Sequence, residues 1–181
     1  MTDHVSTHQA AEDARNETIL IWVNGRVVPK AEAMVSVYDS GFMLGDGVWE
    51  GIRLYNGRWS FLDEHIDRLF EAARAIDLDI GMDRAAVVAA VLETQAANGM
   101  VSDAHARLMV TRGVKTRPFQ HPKLSQRGPT MVIIMEHSRP SLPRPIRLAT
   151  VPHMRGLPMT QDPKLNSHSK LNCILACIAA E

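Results

Sequence analysis

Short runs of alternating apolar and polar residues occur twice near the start of the chain, and each pair of runs is separated by an Asn-Gly dipeptide. The first dipeptide is Asn24-Gly25 and the second is Asn56-Gly57. Both residues of such a pair accept the positive φ angles of a type I′ turn, which joins two antiparallel strands. The pattern predicts two β-hairpins, with strands at residues 19–23, 26–28, 51–55 and 58–61.

The spacing of apolar residues then becomes helical. A first helix is predicted to begin near Asp63, whose carboxylate can cap it. It is expected to bury the apolar residues of one face, which are Ile66, Leu69, Phe70, Ala73 and Ile76. A second helix is predicted from about residue 83 to residue 98, and Gly99 suits a left-handed helix stop.

The rest of the pattern predicts more strands and a division of the chain into parts. Strands are expected at residues 107–111, 131–136 and 146–151, and a last helix from about Ser169. The fold class is therefore α+β, an antiparallel sheet with two helices on one side. The predicted parts are a flexible N-terminal tail (1–17), a small α+β domain (18–137), a proline-bearing interdomain linker (138–145) and the beginning of a second domain (146–181).

Composition narrows the class of partner. The formal net charge of the 181 residues is zero, so no field would draw the protein to nucleic acid or to an anionic membrane. No run approaches the ~20 apolar residues of a membrane span. The two cysteines, Cys173 and Cys177, have no histidine or cysteine cluster beside them, so they are interpreted as core residues and no metal site is expected. A reducing, cytoplasmic setting fits this cysteine content.

The glycine-rich bend at Gly45-Asp46-Gly47 is a candidate site wall. Glycine can adopt positive φ angles and lets the backbone approach a ligand closely, which a side chain with a Cβ would resist. The bend precedes the second predicted hairpin and the first predicted helix.

The order of several motifs resembles the class IV aminotransferases, the fold-type IV pyridoxal-phosphate enzymes. This family includes D-amino-acid and branched-chain aminotransferases and aminodeoxychorismate lyase. The motifs are the GDGVWE turn at 45–50, Asn56-Gly57, the EHIDRL run at 64–69, VTRG at 110–113 followed by Arg117, and DPK at 162–164. The last two are most similar to the D-amino-acid aminotransferase branch.

The resemblance implies a fold and an activity. The fold would be the sandwich domain of the D-amino-acid aminotransferase-like fold, followed by the start of a larger, barrel-like cofactor-binding domain whose remainder is absent from this sequence. The activity would be pyridoxal 5'-phosphate-dependent transfer of an amino group between an amino acid and a 2-oxo acid. Relatives complete each site with a loop of the other subunit, so a homodimer is expected.

Candidate binding residues follow from the matched motifs. Arg68 matches the family's phosphate-binding arginine, and a guanidinium suits this role because it offers two donors at once. Its position alone favours a solvated helix charge paired with Glu64 or Glu71, and the match to the family motif reverses this preference. Arg107 and Arg117 are candidate ligands of a substrate carboxylate, and the alternative for both is a surface arginine. Phe42 stands where relatives carry a tyrosine beside the cofactor. The tryptophans are interpreted as core residues: Trp22, Trp49 and Trp59.

The lysine that holds the cofactor in this family is missing from its expected place, because an alignment without gaps puts Asn166 there. An amide can neither link the cofactor nor move a proton. Lys164 would point to the same side as residue 166 if the segment is extended, and Lys170 would share its face if the segment is helical. Both could instead be solvated lysines, and His168 adds a group with a suitable pKa.

Three functions therefore stay open. The first is a transaminase that uses Lys170 or Lys164. The second is a non-catalytic relative that keeps the scaffold, which Asn166 favours. The third is a lyase of the aminodeoxychorismate type.

Overall fold

The computed structural model of the chain describes residues 13–139 and 148–181. Within these residues six strands form one antiparallel sheet in the order β2-β1-β6-β5-β3-β4. The strands are Leu20–Val23 (β1), Arg26–Pro29 (β2), Gly47–Tyr55 (β3), Arg58–Trp59 (β4), Ala104–Thr111 (β5) and Thr130–His137 (β6). The helices are Ser40–Leu44 (α1), Leu62–Ala75 (α2), Arg84–Ala97 (α3), Pro158–Gln161 (α4) and Leu171–Ala180 (α5). The predicted α+β class is confirmed.

Both hairpins turn where the sequence predicts. Asn24 and Gly25 have φ angles of 47° and 85°, and Asn56 and Gly57 have φ angles of 48° and 76°. Positive φ at both central residues defines the type I′ turn, whose twist matches that of the strands it joins.

Helices α2 and α3 cover one face of the sheet. Apolar side chains of both helices share a single buried cluster with alternate residues of the strands, including Val48 and Leu54 of β3 and Leu108 of β5. Burial of this apolar surface is the main stabilising contribution to the fold. The face of the sheet that carries Trp49 and Arg107 points away from these helices.

The predicted ends of α3 and the predicted start of α2 near Asp63 are confirmed, whereas the predicted cap of α2 by Asp63 is wrong. Asp83 accepts a hydrogen bond from the amide of Ala86 at 2.8 Å, and Gly99 has a φ angle of 60°. Helix α2 begins one residue before Asp63. Phe61 precedes it with a φ angle of 51° and no capping side chain, because the chain leaves β4 in a tight left-handed turn.

The buried face of α2 also differs in part from its prediction. Ala72 is buried with Ile66, Leu69 and Ala73, while Phe70 and Ile76 are only partly buried against the core.

Residues 148–151 form no strand, so the prediction of a strand at 146–151 is wrong for its described part. Leu148 is exposed, and these residues pair with no described strand. Positions 146 and 147, and most of the predicted linker (138–145), lie outside the described residues. Of the predicted tail, residues 13–17 are described. Asn16 there exchanges two hydrogen bonds with the backbone of His137.

Residues 166–168 pair with the edge of β3. The Trp49 amide donates to the Asn166 carbonyl at 2.8 Å, the His168 amide donates to the Gly47 carbonyl at 2.9 Å, and Ser167 forms a bridge with Val48. This pairing brings the segment around the missing lysine against the strand that follows the glycine-rich bend.

Helix α5 follows that segment, and its apolar side chains are exposed. Cys173 and Cys177 are free and exposed, so their interpretation as core residues is wrong. None of the described helices is long and apolar enough to cross a membrane.

Candidate cofactor and substrate site

The glycine-rich bend is held by an arginine that the sequence did not single out. Arg112 donates to both carboxylate oxygens of Asp46, at 2.8 and 3.1 Å, and to the carbonyl of Ile76 at the end of α2, at 2.7 Å. Gly45 has a φ angle of 67°, as predicted. Gly47 instead lets β3 approach β5 closely, since a Cβ at this position would lie 2.6 Å from the Val110 carbonyl oxygen.

A buried carboxylate, Glu50 of β3, connects three candidate residues. Arg68 donates from Nε to Oε1 and from Nη2 to Oε2, both at 2.6 Å. His65 Nδ1 lies 2.8 Å from Oε2, and the Asn166 amide nitrogen lies 3.5 Å from Oε1. The Glu50 side chain is fully buried. A buried charge needs such partners, because isolation from water would otherwise be costly.

Sequence reasoning missed Glu50, although a signal was present. Glu50 alternates with Val48 and Ile52 on the apolar face of β3, where a charged residue is out of place. An acid at such a position needs a cationic partner, and Arg68 on the neighbouring helix supplies one.

Arg68 is half exposed, and Glu50 orients it. Neither acid considered from the sequence, Glu64 or Glu71, is its partner. The hydrogen bonds to Glu50 raise the pKa of Arg68 above its ordinary value. A guanidinium has five N–H donors, so the two that Glu50 uses leave three for another anion. The half-exposed part of Arg68 thus presents these three donors at the surface in a fixed orientation.

Trp49 marks a second group of candidate residues, on the other face of β3. Arg107 Cζ lies 4.1 Å and Lys170 Nζ lies 5.1 Å from the centre of its ring. The ring is only partly buried. Trp49 is therefore not the core residue that the sequence suggested.

Neither geometric condition set for a substitute lysine is met. Lys164 is exposed and lies in a turn rather than in an extended segment. Residues 166–170 are not helical, because 166–168 pair with β3 and α5 begins only at Leu171. Lys170 nevertheless contacts the ring of Trp49, and Trp49 directly precedes Glu50 in the sequence. Lys164 makes no cation–π contact among the described residues.

His168 is mostly buried beside the same strand. Its Nε2 lies 3.2 Å from the Val48 carbonyl oxygen, so Nε2 carries the proton that it donates. Burial lowers the pKa of His168, and the hydrogen bond to Val48 only partly offsets this effect.

The remaining candidates lie apart from Glu50. Phe42 is exposed on α1, and Arg117 is exposed in the loop between β5 and β6. Buried Lys115 holds that loop by donating to the His121 carbonyl at 3.1 Å. No hydrogen bond among the described residues joins Phe42 or Arg117 to Arg68.

Relatives of two kinds resemble this chain. Branched-chain-amino-acid aminotransferase-like protein 1 of Arabidopsis thaliana is 38% identical over 165 residues, which are 90% of this chain and 30% of the relative. D-alanine aminotransferase of Listeria innocua is 41% identical over 101 residues, which are 56% of this chain and 34% of the relative. The chain spans about a third of the length of each.

A solved structure shows the same fold. The branched-chain aminotransferase of Thermoproteus uzoniensis, crystallised with norvaline, superposes with a TM-score of 0.74 at 26% identity. The match covers 90% of this chain and 56% of the other.

The family profile described as amino-transferase class IV matches residues 47–181. This range begins at the strand of Glu50 and includes Arg68 and Asn166. The chain belongs to the class IV aminotransferase family.

Proposed function

We propose that the complete protein is a pyridoxal 5'-phosphate-dependent transaminase that moves an amino group between an amino acid and a 2-oxo acid. The observation that supports this proposal is the cluster of Glu50, Arg68 and Asn166 in a chain of this family. The cluster places a fixed, half-exposed guanidinium beside the position where the family's lysine is expected.

The residues at this cluster fit the phosphate of the cofactor. Three N–H donors of Arg68 remain for phosphate oxygens, and the buried Glu50 keeps the guanidinium in one orientation. His65 Nδ1 also binds Glu50 Oε2. The negative charge of Glu50 is therefore shared among its partners and repels an incoming phosphate less. When bound, the cofactor supplies an electron sink for the bonds of the amino acid's Cα.

Each of the other candidates has a separate role in the proposal. Arg107 and Arg117 bind carboxylate groups of the substrate, Phe42 covers the cofactor side of the site, and Asn166 contributes a hydrogen bond. Lys170 or Lys164 holds the cofactor and moves the proton of the amino acid's Cα. We further propose the barrel-like second domain, a homodimer and a cytoplasmic location, and we leave the choice of amino acid and enantiomer to experiment.

Asn166 favours a second candidate function, a relative that keeps the scaffold and binds the cofactor without turnover. Its amide points to Glu50 at 3.5 Å, so the side chain at this position is engaged in the cluster and offers no amine. The two functions predict the same cofactor binding and differ in chemistry.

Titration of the full-length protein with pyridoxal 5'-phosphate, followed by visible absorbance, tests the phosphate site. We expect Arg68→Ala to weaken binding at least about tenfold, since one charge-assisted pair of hydrogen bonds is lost. Arg74→Ala is the matched control, because Arg74 is an exposed arginine on the same helix. Equal affinity of both variants would rule out Arg68 as the phosphate anchor.

Two further measurements separate the candidate functions. Borohydride reduction and peptide mass spectrometry identify a linked lysine, and turnover of amino-acid and 2-oxo-acid pairs identifies a transaminase. Binding without a labelled lysine and without turnover would favour the non-catalytic relative.

A further inference from the structure

Lys115 is a buried lysine at the foot of the loop that joins β5 to β6. It is only 3% exposed, whereas residues 116–123 of the loop beyond it are exposed. None of the ion pairs within residues 13–139 and 148–181 includes Lys115. A buried ammonium without an acid at ion-pair distance is costly, so the hydrogen bonds that it makes carry particular weight.

The backbone of Lys115 is fixed from two sides. Its amide donates to the Tyr38 carbonyl at 2.9 Å, and it forms a bridge with Ser125, where the loop ends. The preceding residue, Val114, forms a second bridge with Asp39. The side chain of Lys115 therefore starts from a fixed base, and the fold sets its direction.

The ammonium of Lys115 spans the loop. Nζ donates to the His121 carbonyl at 3.1 Å, six residues further along the chain. The same carbonyl accepts the Leu124 amide at 3.1 Å, and the Thr116 amide donates to the Leu124 carbonyl at 2.9 Å. These three bonds tie the two sides of the loop together, and the bond of Lys115 is the one that carries a charge.

Arg117 lies on the part of the loop that these bonds enclose. It follows Lys115 by two residues and is exposed, and its carbonyl accepts the Phe119 amide at 2.9 Å. Under the proposed function, Arg117 binds a carboxylate of the substrate. A long side chain on an exposed loop binds best when the loop is already ordered, because ordering it at the moment of binding lowers the affinity.

We propose that Lys115 is a positioning residue for the substrate: its buried ammonium orders residues 116–124 and thereby holds Arg117 in place for a carboxylate. Lys115 acts through Arg117 and does not itself touch the substrate. The inference deepens the proposed function and rests on it for the role of Arg117. The ordering of the loop rests only on the hydrogen bonds of Lys115 and its neighbours.

Hydrogen exchange of the full-length protein, without cofactor or substrate, tests the ordering of the loop. In Lys115→Met the amides of Thr116 and Leu124 should exchange about tenfold faster, since an apolar side chain of similar volume replaces a charged donor. The amides of β5 should keep their protection, which shows that the variant is folded. Lys123→Met is the matched control and should exchange like the wild type, because Lys123 is an exposed lysine of the same loop.

Two more variants at position 115 separate the hydrogen bond from packing. Lys115→Arg keeps a cationic donor and should retain slow exchange. Lys115→Gln takes the place of Lys115→Met if the latter does not fold, and it should show the same direction of change, because it cannot supply a charged donor.

Steady-state kinetics with an amino acid and a 2-oxo acid test the link to Arg117. Lys115→Met should raise KM about tenfold and change kcat less than about twofold, which is the pattern for lost binding that is equal in the ground state and the transition state. In the Arg117→Ala background, Lys115→Met should have no further effect on KM, because the two residues act as one unit. A general loss of stability would lower activity in both backgrounds.

Wild-type exchange of the Thr116 and Leu124 amides in a folded variant without the charge would overturn the proposal. An unchanged KM, or a rise in KM that persists in Arg117→Ala, would overturn it as well and leave the proposed transaminase intact. Absence of turnover in the wild-type protein would refute the transaminase and with it the role of Arg117, and faster exchange in Lys115→Met would then establish only the ordering of the loop.

Discussion

Asn166 occupies the position where the proposed function requires a lysine. Its carbonyl is fixed by the Trp49 amide, and its side chain points to Glu50 beside Arg68. Position 166 therefore lies at the same carboxylate as the Arg68 guanidinium, which is where the proposed function needs a cofactor-linking amine.

We predict that Asn166→Lys gains a covalent link to pyridoxal 5'-phosphate. The new ammonium would lie near Glu50, and the carboxylate would hold it toward the phosphate anchor. Borohydride reduction and peptide mass spectrometry of the full-length variant should then label residue 166. Asn172→Lys, on α5, is the control and should stay unlabelled; absence of label at 166 despite bound cofactor would show that this side chain does not face the aldehyde.

At the scale of secondary-structure elements, the bend between α1 and β3 is held by the side chain of Arg112, which directly follows β5. Arg112 binds Asp46 of the bend and the carbonyls of Ile76 and Asp77 that follow α2. The last carbonyls of a helix lack partners within the helix, so Arg112 satisfies groups that would otherwise need water. One residue thereby joins the bend to α2.

We predict that Arg112→Met lowers the free energy of unfolding by about 1–3 kcal/mol, since a mostly buried Asp46 and two carbonyls lose their donor. Urea denaturation measures the loss, and hydrogen exchange should show that amides of residues 45–47 become less protected. A double-mutant cycle with Asp46→Ala isolates the ion pair. A coupling near zero would mean that Arg112 acts only on the carbonyls.

At the level of the whole molecule, three partly buried histidines make stability depend on pH. Burial is the largest cause that lowers the pKa of His105, His137 and His168 below the ordinary value of 6.5. Above that value both the folded and the unfolded chain carry these rings neutral. As the pH falls below it, the unfolded chain takes up protons that the folded chain resists, so stability decreases.

Urea midpoints between about pH 7.5 and about pH 5.5 should therefore fall as the pH falls, in a window above the titration of ordinary carboxylates. His168→Gln should reduce the slope, because Gln can still donate to the Val48 carbonyl but does not titrate. A midpoint that is constant, or that rises toward low pH, would contradict the assignment.

The sequence predicted correctly those features that depend on residues close together in the chain. The hairpins at Asn24-Gly25 and Asn56-Gly57 and the cap at Asp83 were predictable, since each relies on backbone preferences of adjacent residues. The cap of α2 was not, because the turn out of β4 places Phe61 in the left-handed region at the N-cap position, and Asp63 lies within the first turn of the helix.

The sequence by itself determined the α+β order of elements, the turns and the motifs of the family, because these depend on neighbours within a few residues. Only the tertiary structure decided which groups meet. Glu50 binds Arg68, which is 18 residues away in the sequence, and Asn166, which is 116 residues away. Trp49 contacts Arg107 and Lys170, which come from two other segments of the chain. Such contacts arise from the pairing of β3 with β5 and with residues 166–168, and no local pattern encodes that pairing.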